Sequence, residues 1–538
     1  MAKYVFVTGG VLSSVGKGVS VASLGRILKS RSFTVGAQKL DPYLNAEPGI
    51  MSPAQHGELF LTKDGAAADL DLGHYERFIG VELSRYSSVS AGQVYRTLLE
   101  KERRGDYLGG TIQVVPQLTD EIKRLIRRGA DANEADIAIV EVGGTVGDIE
   151  GQPFLEAIRQ MRNEEGRDNV LYVHVTFLPY IGATRELKTK PTQHSVNELR
   201  RIGIQPDVIL CRSDFPVSDS IRDKISLFCD VEREAVVALE TSETIYEVPL
   251  VLERAGLGAF ISSRLGMPDH APDLDGWESM VSRLKEPREP VHLAIVGDHV
   301  QLQDAYYSVR EALVHAALVH DCEPQFHWID SRELADGECP QLRNVQGIVI
   351  PGSSHYGSID GLITAANYAR VHGVPCFGID TGMHAIIVEF ARSIPGLEDA
   401  HSTEFQATTA HAVVDRTTGD TASCMRQGTI PCKLLPGTKA AAAFDVLLSY
   451  ERHRHSHELN SHYRAALRNA GLIPSGVSAD DQFVDVVEVR EHDWMVGCQF
   501  HAEFKSRPDQ PHPLFVAFLG AAKHTLLEGA QPELPIAQ

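Results

Sequence analysis

Residues 9–28 read GGVLSSVGKGVSVASLGRIL, and this stretch decides how the first half of the chain is expected to fold. It follows an apolar run, YVFVTGG (4–10), and continues with apolar residues at helical spacing. Glycines let backbone N–H groups turn towards a phosphate, and the N-terminus of a helix adds positive charge. The stretch therefore predicts a strand, a mononucleotide loop and a helix, with Lys17 reaching the outer phosphates.

The loop departs from the usual G-x-x-x-x-G-K-[ST] pattern in two ways. One extra residue follows Gly10, and Gly18 stands where a metal-binding hydroxyl is expected. A structural glycine-rich turn is the alternative interpretation. If the loop binds nucleotide, carboxylates must hold Mg²⁺, and the candidates are Asp71 in DLDLGHYERF and Glu141 at the end of the predicted strand IAIVE. Asp69 is expected to be a solvated or capping group.

A second basic segment, KTKPTQHS (188–195), places Lys188, Lys190 and Gln193 within six residues. In a chain with a formal charge of −21, such clustering favours a second polyphosphate site. A solvated surface loop is the alternative. The overall acidity excludes a general nucleic-acid binder, because that class needs a basic surface.

The distribution of apolar runs predicts two α/β domains. Continuous Val- and Ile-rich runs indicate parallel strands buried on both faces, and they recur at 4–10, 34–41, 136–144, 169–179 and 207–213. The helix pattern at 120–129 is expected to end at Gly129. A second strand series follows at 292–298, 347–352, 374–380, 483–489 and 494–501. We predict a first domain at 1–266, a linker at 267–290, a second domain at 291–525 and a tail at 526–538.

The cysteines and the N-terminus indicate the compartment. The eight cysteines form no C-x-x-C pair, which is typical of a reducing cytoplasm. The chain begins with MAKYVFVTGG, which has no signal-peptide pattern, and no run of about 18 apolar residues occurs. We therefore expect a cytoplasmic protein without membrane insertion.

The segment PCFGIDTGMHA (375–385) has the form of a strand-turn-helix elbow. Such a G-x-D-x-G turn presents one side chain at the top of a sheet, and that residue is normally a nucleophile. Here it is Asp380. Cys376 lies four residues earlier, roughly 13 Å away along an extended strand, and is expected to be a buried core thiol.

Several strings in the first half, taken together, resemble the amidoligase domain of CTP synthase over nearly all of residues 1–265. They are FVTGGVLSSVGKG, QKLDPYLN, MSPAQHGE, DLDLGHYERF, KERRGDYLG, VEVGGTVGDIE, LKTKPTQHS and CRSD. The resemblance implies a P-loop-type, dethiobiotin-synthetase-like parallel-sheet domain that aminates UTP at C4 with ATP. ATP phosphorylates the C4 oxygen, which is otherwise a poor leaving group, and ammonia then displaces phosphate.

The resemblance also implies roles for individual residues. Lys17 and Lys39 are the catalytic cations, and Asp71 and Glu141 hold Mg²⁺. The ATP-binding positions are Ser13, Ser14, Val15, Gly16, Lys17, Gly18, Val19 and Asp71. The UTP- or CTP-binding positions are Ser13, Asp148, Ile149, Glu150, Lys188, Thr189, Lys190, Gln193 and Lys224. Arg185 departs from the family, which commonly has a small residue there, so a retuned nucleotide pocket stays open.

The second half resembles a class I glutamine amidotransferase domain with an altered reactive centre. HSTEF (401–405), ERHRH (451–455) and GCQFHAEF (497–504) fall in the family's order, and His501 and Glu503 match its base and orienting carboxylate. Where the family has GICLGMQ, this chain has GIDTGMH (378–384). Glutamine hydrolysis needs a thiolate that forms a thioester, whereas a carboxylate would have to form an anhydride. We therefore predict a degenerate glutaminase site at Asp380, His501 and Glu503.

The loop PGSSHYGSIDG (351–361) differs as well. The family has P-G-G-F-G-x-R-G there, which supplies the oxyanion hole and a GTP-responsive arginine. Here Ser353, Ser354 and His355 occupy the region of the hole, and Gly357 replaces the arginine. His355 and His384 are either metal ligands with Asp380 or, more simply, a hydrogen-bonded pocket floor.

Three functions follow from these patterns. The favoured one is an ATP- and Mg²⁺-dependent UTP amidoligase that uses free ammonia and not glutamine. The second is a ligase that joins another amine to UTP or a related pyrimidine nucleotide. The third is a silent regulatory paralogue of CTP synthase. The resemblance implies a homotetramer, with no nucleic-acid or membrane partner expected.

Overall fold

The computed structural model describes residues 2–46, 49, 51–52, 57–337, 339–352, 359–416 and 425–525. They form two compact units. The first consists of Met1–Met51 and Ala67–Lys285, and the second of Ser52–Ala66 and Glu286–Gln538. No helix in the described ranges is both long and apolar enough to cross a membrane.

The strands, in chain order, are β1 (Lys3–Gly9), β2 (Val35–Asp41), β3 (Phe60–Leu61), β4 (Ala67–Ala68), β5 (Ser88–Ser90), β6 (Ile137–Val142), β7 (Val170–Phe177), β8 (Tyr180–Ile181), β9 (Glu186–Leu187), β10 (Val208–Ser213), β11 (Val236–Glu240), β12 (Glu289–Gly297), β13 (Cys322–Asp330), β14 (Gly347–Ile350), β15 (Cys376–Ile379), β16 (Ala400–Ser402), β17 (His411–Arg416), β18 (Arg426–Leu434), β19 (Leu448–His455), β20 (His457–Leu459), β21 (Leu472–Ser478), β22 (Val484–Val489) and β23 (Met495–Cys498). The α-helices are α1 (Lys17–Lys29), α2 (Asp71–Ile79), α3 (Ala91–Arg103), α4 (Thr119–Ala132), α5 (Gln152–Glu164), α6 (Lys190–Ile202), α7 (Asp219–Cys229), α8 (Val248–Arg254), α9 (Leu257–Arg264), α10 (Asp275–Lys285), α11 (Tyr307–His320), α12 (Asp360–His372), α13 (Thr381–Ser393), α14 (Lys439–Phe444), α15 (Ser461–Ala470) and α16 (Pro513–Lys523).

The first unit is built on a seven-stranded parallel sheet in the order β11-β10-β7-β1-β6-β2-β5. Its central strands are buried along almost their whole length, as expected when helices cover both faces. The predicted parallel-sheet fold is confirmed. The order places the carboxyl ends of β1, β6 and β2 side by side, where ligands bind in open α/β sheets.

Helix α4 does not end at Gly129, as the sequence had predicted, but continues to Ala132. Gly129 lies inside the helix, and a Cβ atom built on it would lie 2.5 Å from Nε2 of Gln38 in β2. The glycine is therefore needed for the close approach of helix and strand rather than for a helix cap.

The predicted linker 267–290 contains α10, which packs onto the first unit. Trp277 is 2% exposed, and its Nε1 donates a hydrogen bond of 2.7 Å to the Tyr246 carbonyl. The Arg26 guanidinium lies 4.3 Å above the indole ring. This part of the predicted linker is therefore a helix that belongs to the first unit. Although the stretch is polar and bounded by prolines, it buries one large aromatic side chain. The exact domain boundaries stay predictions.

The second unit is built on a nine-stranded sheet in the order β13-β12-β14-β15-β23-β22-β21-β18-β19. The first five strands are parallel and the remaining pairings are antiparallel. Residues 52–66 belong here although the sequence had placed them in the first domain. The Glu58 carboxylate accepts a hydrogen bond of 2.7 Å from the Ser308 N–H, and Arg452 Nη1 donates to the Leu61 carbonyl at 2.8 Å.

Candidate functional site

The glycine-rich loop follows β1 and turns into α1 through a left-handed residue. Gly16 has φ 87° and ψ 31°, a conformation that favours glycine, and α1 begins at Lys17. The Lys17 side chain lies across Gly9, where a built Cβ atom would be 2.6 Å from Lys17 Cδ. Its Nζ donates a hydrogen bond of 2.7 Å to the Gly144 carbonyl. The predicted strand-loop-helix is therefore present, with its lysine folded over the loop.

Lys39 is the centre of an acidic cluster at the carboxyl ends of β2 and β6, where it is the register partner of Glu141. Its Nζ lies 2.7 Å from Asp69 Oδ1, 2.5 Å from Asp71 Oδ2 and 3.6 Å from Asp41 Oδ1. Asp69 is thus not a merely solvated group, as the sequence had suggested. It pairs with Lys39 and also accepts a hydrogen bond of 3.0 Å from the N–H of Asp71, the first residue of α2.

Burial shifts the protonation of this cluster. Burial, followed by the charge of Asp71, raises the pKa of Glu141 to about 7, although Lys39 and Lys17 oppose the shift. Burial also raises the pKa of Asp41 to about 7. Burial alone would lower the pKa of Lys39, but the surrounding carboxylates hold it well above its usual value. The carboxylates outnumber the cations, which is the charge balance that a divalent cation completes.

The position of Asp71 explains why the loop has Gly18 where the usual pattern has serine or threonine. A Cβ atom built on Gly18 would lie 2.0 Å from Asp71 Oδ1 and 2.5 Å from Asp71 Cγ. The Asp71 carboxylate therefore fills the space that a serine or threonine side chain would take. Oxygen donors from Asp71 and Glu141 suit Mg²⁺, so the residues present fit the predicted metal.

The residues assigned to UTP fall into two groups. Asp148 lies close to the phosphate loop. Its Oδ2 accepts a hydrogen bond of 2.6 Å from the Thr145 N–H and would be 2.7 Å from a Cβ atom built on Gly144. The Gly144 carbonyl in turn accepts the hydrogen bond from Lys17. Ile149 and Glu150 follow it and are exposed. Because both side chains are exposed, they do not belong to the hydrophobic core and can contact a ligand or another chain.

The basic group is separate. Lys188 pairs with Glu186, and the pKa of Glu186 is lowered first by the hydrogen bond from Lys188 and also by the charge of Lys224. Lys190 Nζ is 5.8 Å from the Phe228 ring centroid. Buried Gln193 donates to Thr189 Oγ1 at 3.0 Å. In the described part of the chain no hydrogen bond or ion pair joins these lysines to Lys17 or Asp148.

His174 is a further residue of this site, and no local sequence pattern indicates it. It bridges Thr8 Oγ1 at 2.8 Å and Ser195 Oγ at 2.7 Å, and burial, helped by Lys17, lowers its pKa to about 3. A Cβ atom built on Gly10 would lie only 1.5 Å from Ser195 Oγ. Gly10 and His174 therefore bring the basic segment's helix, α6, against the phosphate loop.

The predicted elbow is present in the second unit. Asp380 lies between β15 and α13 with φ 50° and ψ −108°, a strained conformation for a residue other than glycine. A Cβ atom on Gly378 would lie 2.5 Å from the Gly382 carbonyl oxygen, and one on Gly382 would lie 2.0 Å from the Ile350 carbonyl oxygen. Both glycines of G-x-D-x-G are thus required by backbone contact. Cys376 is fully buried in β15, and burial raises its pKa.

His501 and Glu503 form the predicted pair beside Asp380. His501 Nδ1 lies 2.8 Å from Glu503 Oε1. Burial alone would lower the pKa of His501, but Glu503 and then Asp380 raise it above its usual value. A Cβ atom built on Gly352 would lie 3.4 Å from Asp380 Oδ2 and 3.5 Å from His501 Cε1, so both side chains lie close to Gly352.

Behind Asp380 lies a buried hydrogen-bonded chain. Gln499 Nε2 donates to Asp380 Oδ1 at 3.0 Å, and Gln499 Oε1 lies 3.1 Å from His384 Nε2. His384 Nδ1 lies 3.4 Å from Glu404 Oε2. His384 therefore takes part in a buried hydrogen bond with Gln499. Ser353, Ser354, His355 and Gly357 lie outside the described residues, and within the described ranges no three His, Cys, Asp or Glu side chains form a metal cluster.

The chain matches the family described as CTP synthase N-terminus over residues 3–267 and the family described as glutamine amidotransferase class-I over residues 301–521. It is 57% identical to the CTP synthase of Thermomicrobium roseum over 100% of this chain and 98% of that protein. It is 56% identical to that of Dehalococcoides mccartyi over 100% of both. A solved structure of the Trypanosoma brucei CTPS glutaminase domain with bound acivicin is 30% identical, with a TM-score of 0.41, and covers 44% of this chain and 94% of that one.

Proposed function

The chain belongs to the CTP synthase family, and we propose that it aminates UTP to CTP with ATP and free ammonia and does not use glutamine. The observation that carries the second part is Asp380, which stands at the tip of the elbow where the family's nucleophile is expected.

The proposed roles in the first unit follow from charge and position. Lys17 and Lys39 neutralise the phosphates of ATP, and Asp71 with Glu141 holds Mg²⁺, which when bound neutralises further charge on the phosphates. Asp148, Glu150 and the basic group of Lys188, Lys190 and Lys224 are proposed to hold UTP. Phosphoryl transfer depends on such positioning and charge stabilisation more than on covalent chemistry. The phosphorylated C4 oxygen then leaves as phosphate when ammonia attacks C4.

Glutamine hydrolysis needs chemistry that Asp380 does not supply. A carboxylate that attacked the amide would form an anhydride, which is higher in energy than the amide it replaces. The negative charge of Asp380 also raises the pKa of His501, together with Glu503, and so favours the protonated form that cannot act as a base. The His501–Glu503 pair is thus retained in geometry, while the carboxylate at position 380 cannot take the place of the thiolate as nucleophile.

Two alternatives remain as proposals of lower rank. The altered second unit favours a ligase that joins another amine to UTP, and the departure at Arg185 favours a related pyrimidine nucleotide as the acceptor. A silent regulatory paralogue is disfavoured, because Lys17, Lys39, Asp71 and Glu141 are all present and gathered at one sheet edge. A homotetrameric assembly is proposed from the family alone.

The direct test is CTP formation by the purified chain with ATP, UTP and Mg²⁺, with either ammonium chloride or glutamine as the nitrogen source. We expect CTP with ammonium only. Glutamine labelled with ¹⁵N in its amide, supplied without ammonium, makes the test specific, and label in CTP would refute the proposal. Mass spectrometry of the nucleotide products with a panel of primary amines separates ammonia from another amine.

A further inference from the structure

We propose that His174 and Ser195 are positioning residues, which hold the start of α6 at a fixed distance from the phosphate loop and so align the two nucleotides for phosphoryl transfer. This inference rests on the proposed function, in which the loop holds ATP and the basic group at α6 holds UTP. It goes further, because it assigns the alignment of the two nucleotides to two buried side chains that have no role in binding either of them.

His174 bridges the strand that leads into the phosphate loop and the helix of the basic segment. It lies in β7, where it is the register partner of Thr8 in β1, and it is fully buried. Its Nδ1 lies 2.8 Å from Thr8 Oγ1, and its Nε2 lies 2.7 Å from Ser195 Oγ. Because Ser195 belongs to α6, which begins at Lys190, one imidazole joins β1, β7 and this helix.

The contact between α6 and the phosphate loop leaves no room for adjustment. A Cβ atom built on Gly10 would lie 1.5 Å from Ser195 Oγ, 2.7 Å from Ser195 Cβ and 3.0 Å from His174 Nε2. Gly10 has no positive φ, so the close approach of the helix, and not the backbone conformation, requires glycine here. The Gly10 N–H also donates a hydrogen bond of 3.0 Å to the Val175 carbonyl in β7. The loop is therefore held between β7 and α6.

The protonation state of His174 indicates a role in geometry rather than in proton transfer. Burial, and then the charge of Lys17, lowers the pKa of His174 to about 3, so the imidazole is neutral at neutral pH. A neutral imidazole has one N–H donor and one acceptor nitrogen, and each of the two nitrogens faces a hydroxyl that can accept or donate. A general acid or base works best with a pKa near the working pH. His174 therefore fixes the two hydroxyls in place and carries no proton for the reaction.

The proposed reaction needs such a bridge between its two nucleotide sites. In the part of the chain that the structure describes, no hydrogen bond or ion pair joins Lys188 or Lys190 to Lys17. The basic group is therefore connected to the phosphate loop through α6 and its contact with His174. Reacting atoms must lie about 3–3.5 Å apart, and a displacement of about 1 Å lowers the rate by about 10²-fold. Loosening the bridge should thus lower kcat more than it weakens the binding of either nucleotide.

The first test is steady-state CTP synthesis from ammonium by the full chain carrying Ser195→Ala, with ADP and CTP both measured. The helix should stay attached in this variant, because buried Thr192 Oγ1 donates a second hydrogen bond, of 3.1 Å, to Thr176 Oγ1 in β7. We expect kcat to fall about tenfold while the KM values for ATP and UTP stay within about threefold. More ADP than CTP should form, because misaligned ATP transfers its phosphoryl group to water.

The matched control is Ser262→Ala in α9 of the same unit. Ser262 is also a fully buried helical serine, and its hydroxyl donates a hydrogen bond of 2.9 Å to the Gly258 carbonyl. This variant loses a buried hydroxyl of the same kind and should keep the kcat and the ADP-to-CTP ratio of the wild type.

An exchange of side-chain size tests the contact itself. Gly10→Ala should lower kcat at least about 10²-fold, because its Cβ atom would overlap Ser195. Ser195→Gly removes both overlapping atoms, so the double variant should have a kcat at least about tenfold above that of Gly10→Ala, whereas independent effects would make it slower still. In His174→Asn, kcat should fall by the same factor at every pH, since no titrating group is lost.

Three results would overturn the inference while the wild type forms CTP from ammonium. They are an unchanged kcat and ADP-to-CTP ratio in Ser195→Ala, additive losses in the Gly10 and Ser195 variants, and the loss of an ionisation from the pH profile of His174→Asn. Absence of CTP formation by the wild type would instead refute the proposed function, and this inference with it.

Discussion

Gly18→Ser is the sharpest test of the nucleotide site, because it restores the residue type of the usual phosphate-loop pattern and yet is expected to inactivate the enzyme. The new Cβ atom would lie 2.0 Å from Asp71 Oδ1, whereas an ordinary non-bonded contact is about 3.5 Å. Asp71 would have to move by roughly 1.5 Å. It is not free to do so without loss, because Lys39 Nζ holds its other oxygen at 2.5 Å.

A displacement of this size at a catalytic centre lowers kcat by about 10²-fold. The assay is ammonia-dependent CTP formation with ATP, UTP and varied Mg²⁺. Gly18→Ala introduces the same Cβ and should lose as much activity as Gly18→Ser, since the overlap and not the hydroxyl is responsible.

The matched control is Gly276→Ala. Gly276 is the second residue of α10, as Gly18 is of α1, but a Cβ atom built on it meets nothing within 4 Å. This variant should keep full activity and fold at least as stably as the wild type. If Gly18→Ser kept kcat within about threefold of the wild type, or if it were active while Gly18→Ala was not, the metal-holding role of Asp71 in place of a loop hydroxyl would be refuted.

Three further predictions concern other parts of the chain. Asp380→Cys should form CTP from glutamine at least about 10²-fold more slowly than from ammonia, because His384, Gln499 and Thr381 around the new thiol are unchanged. Glutamate release measures glutamine hydrolysis directly. Glutamine-driven synthesis near the ammonia rate would contradict the prediction. The pKa of His174 is lowered to about 3, so the folded protein keeps this imidazole neutral. The unfolded chain binds a proton at His174 below about pH 6.5, and the contribution of His174 to the free energy of unfolding is therefore lost as the pH falls from 6.5 towards 3. His174→Asn should therefore flatten the decline of unfolding free energy below pH 6.5 by up to about 1.4 kcal/mol per pH unit, and an unchanged slope in chemical denaturation would argue against a buried neutral imidazole. Trp277→Ala should destabilise the first unit by about 3–5 kcal/mol, measured by denaturant unfolding, whereas no loss would mean that α10 does not belong to its core.

The sequence was informative where a local pattern carries the physical cause. Continuous apolar runs predicted the parallel strands, because burial on both faces leaves no alternation. The glycine pattern predicted the phosphate loop and the elbow, since each needs backbone that other residues do not adopt. The prediction of a helix end at Gly129 was wrong, because a helix cap and a close helix-strand contact both favour glycine. Only the position of Gln38 in β2 shows that Gly129 serves the close contact.

What the sequence could not give were contacts between distant residues. Lys39 approaches Asp69 and Asp71 only because β2 and the start of α2 meet at one edge, and neither segment alone shows this. The chain from Asp380 through Gln499 joins residues 119 positions apart. Trp277 carries a stronger signal, because one tryptophan in a polar stretch indicates a buried anchor, and that signal would have limited the predicted linker.

The elbow also shows why likeness to a family does not by itself transfer an activity. Gly378 and Gly382 are fixed by contacts with carbonyl oxygens at 2.5 and 2.0 Å from their would-be Cβ atoms, so the frame of the turn is required for packing whatever the central residue does. Those contacts are made with carbonyl groups, whereas the Asp380 side chain accepts a hydrogen bond from Gln499 and lies near Gly352 and His501. The backbone of the turn therefore depends on Gly378 and Gly382, whereas its reactivity depends on the side chain at position 380. A family match over residues 301–521 reports the frame, whereas glutamine hydrolysis also depends on the side chains at positions 380, 381 and 384, which differ from the family motif.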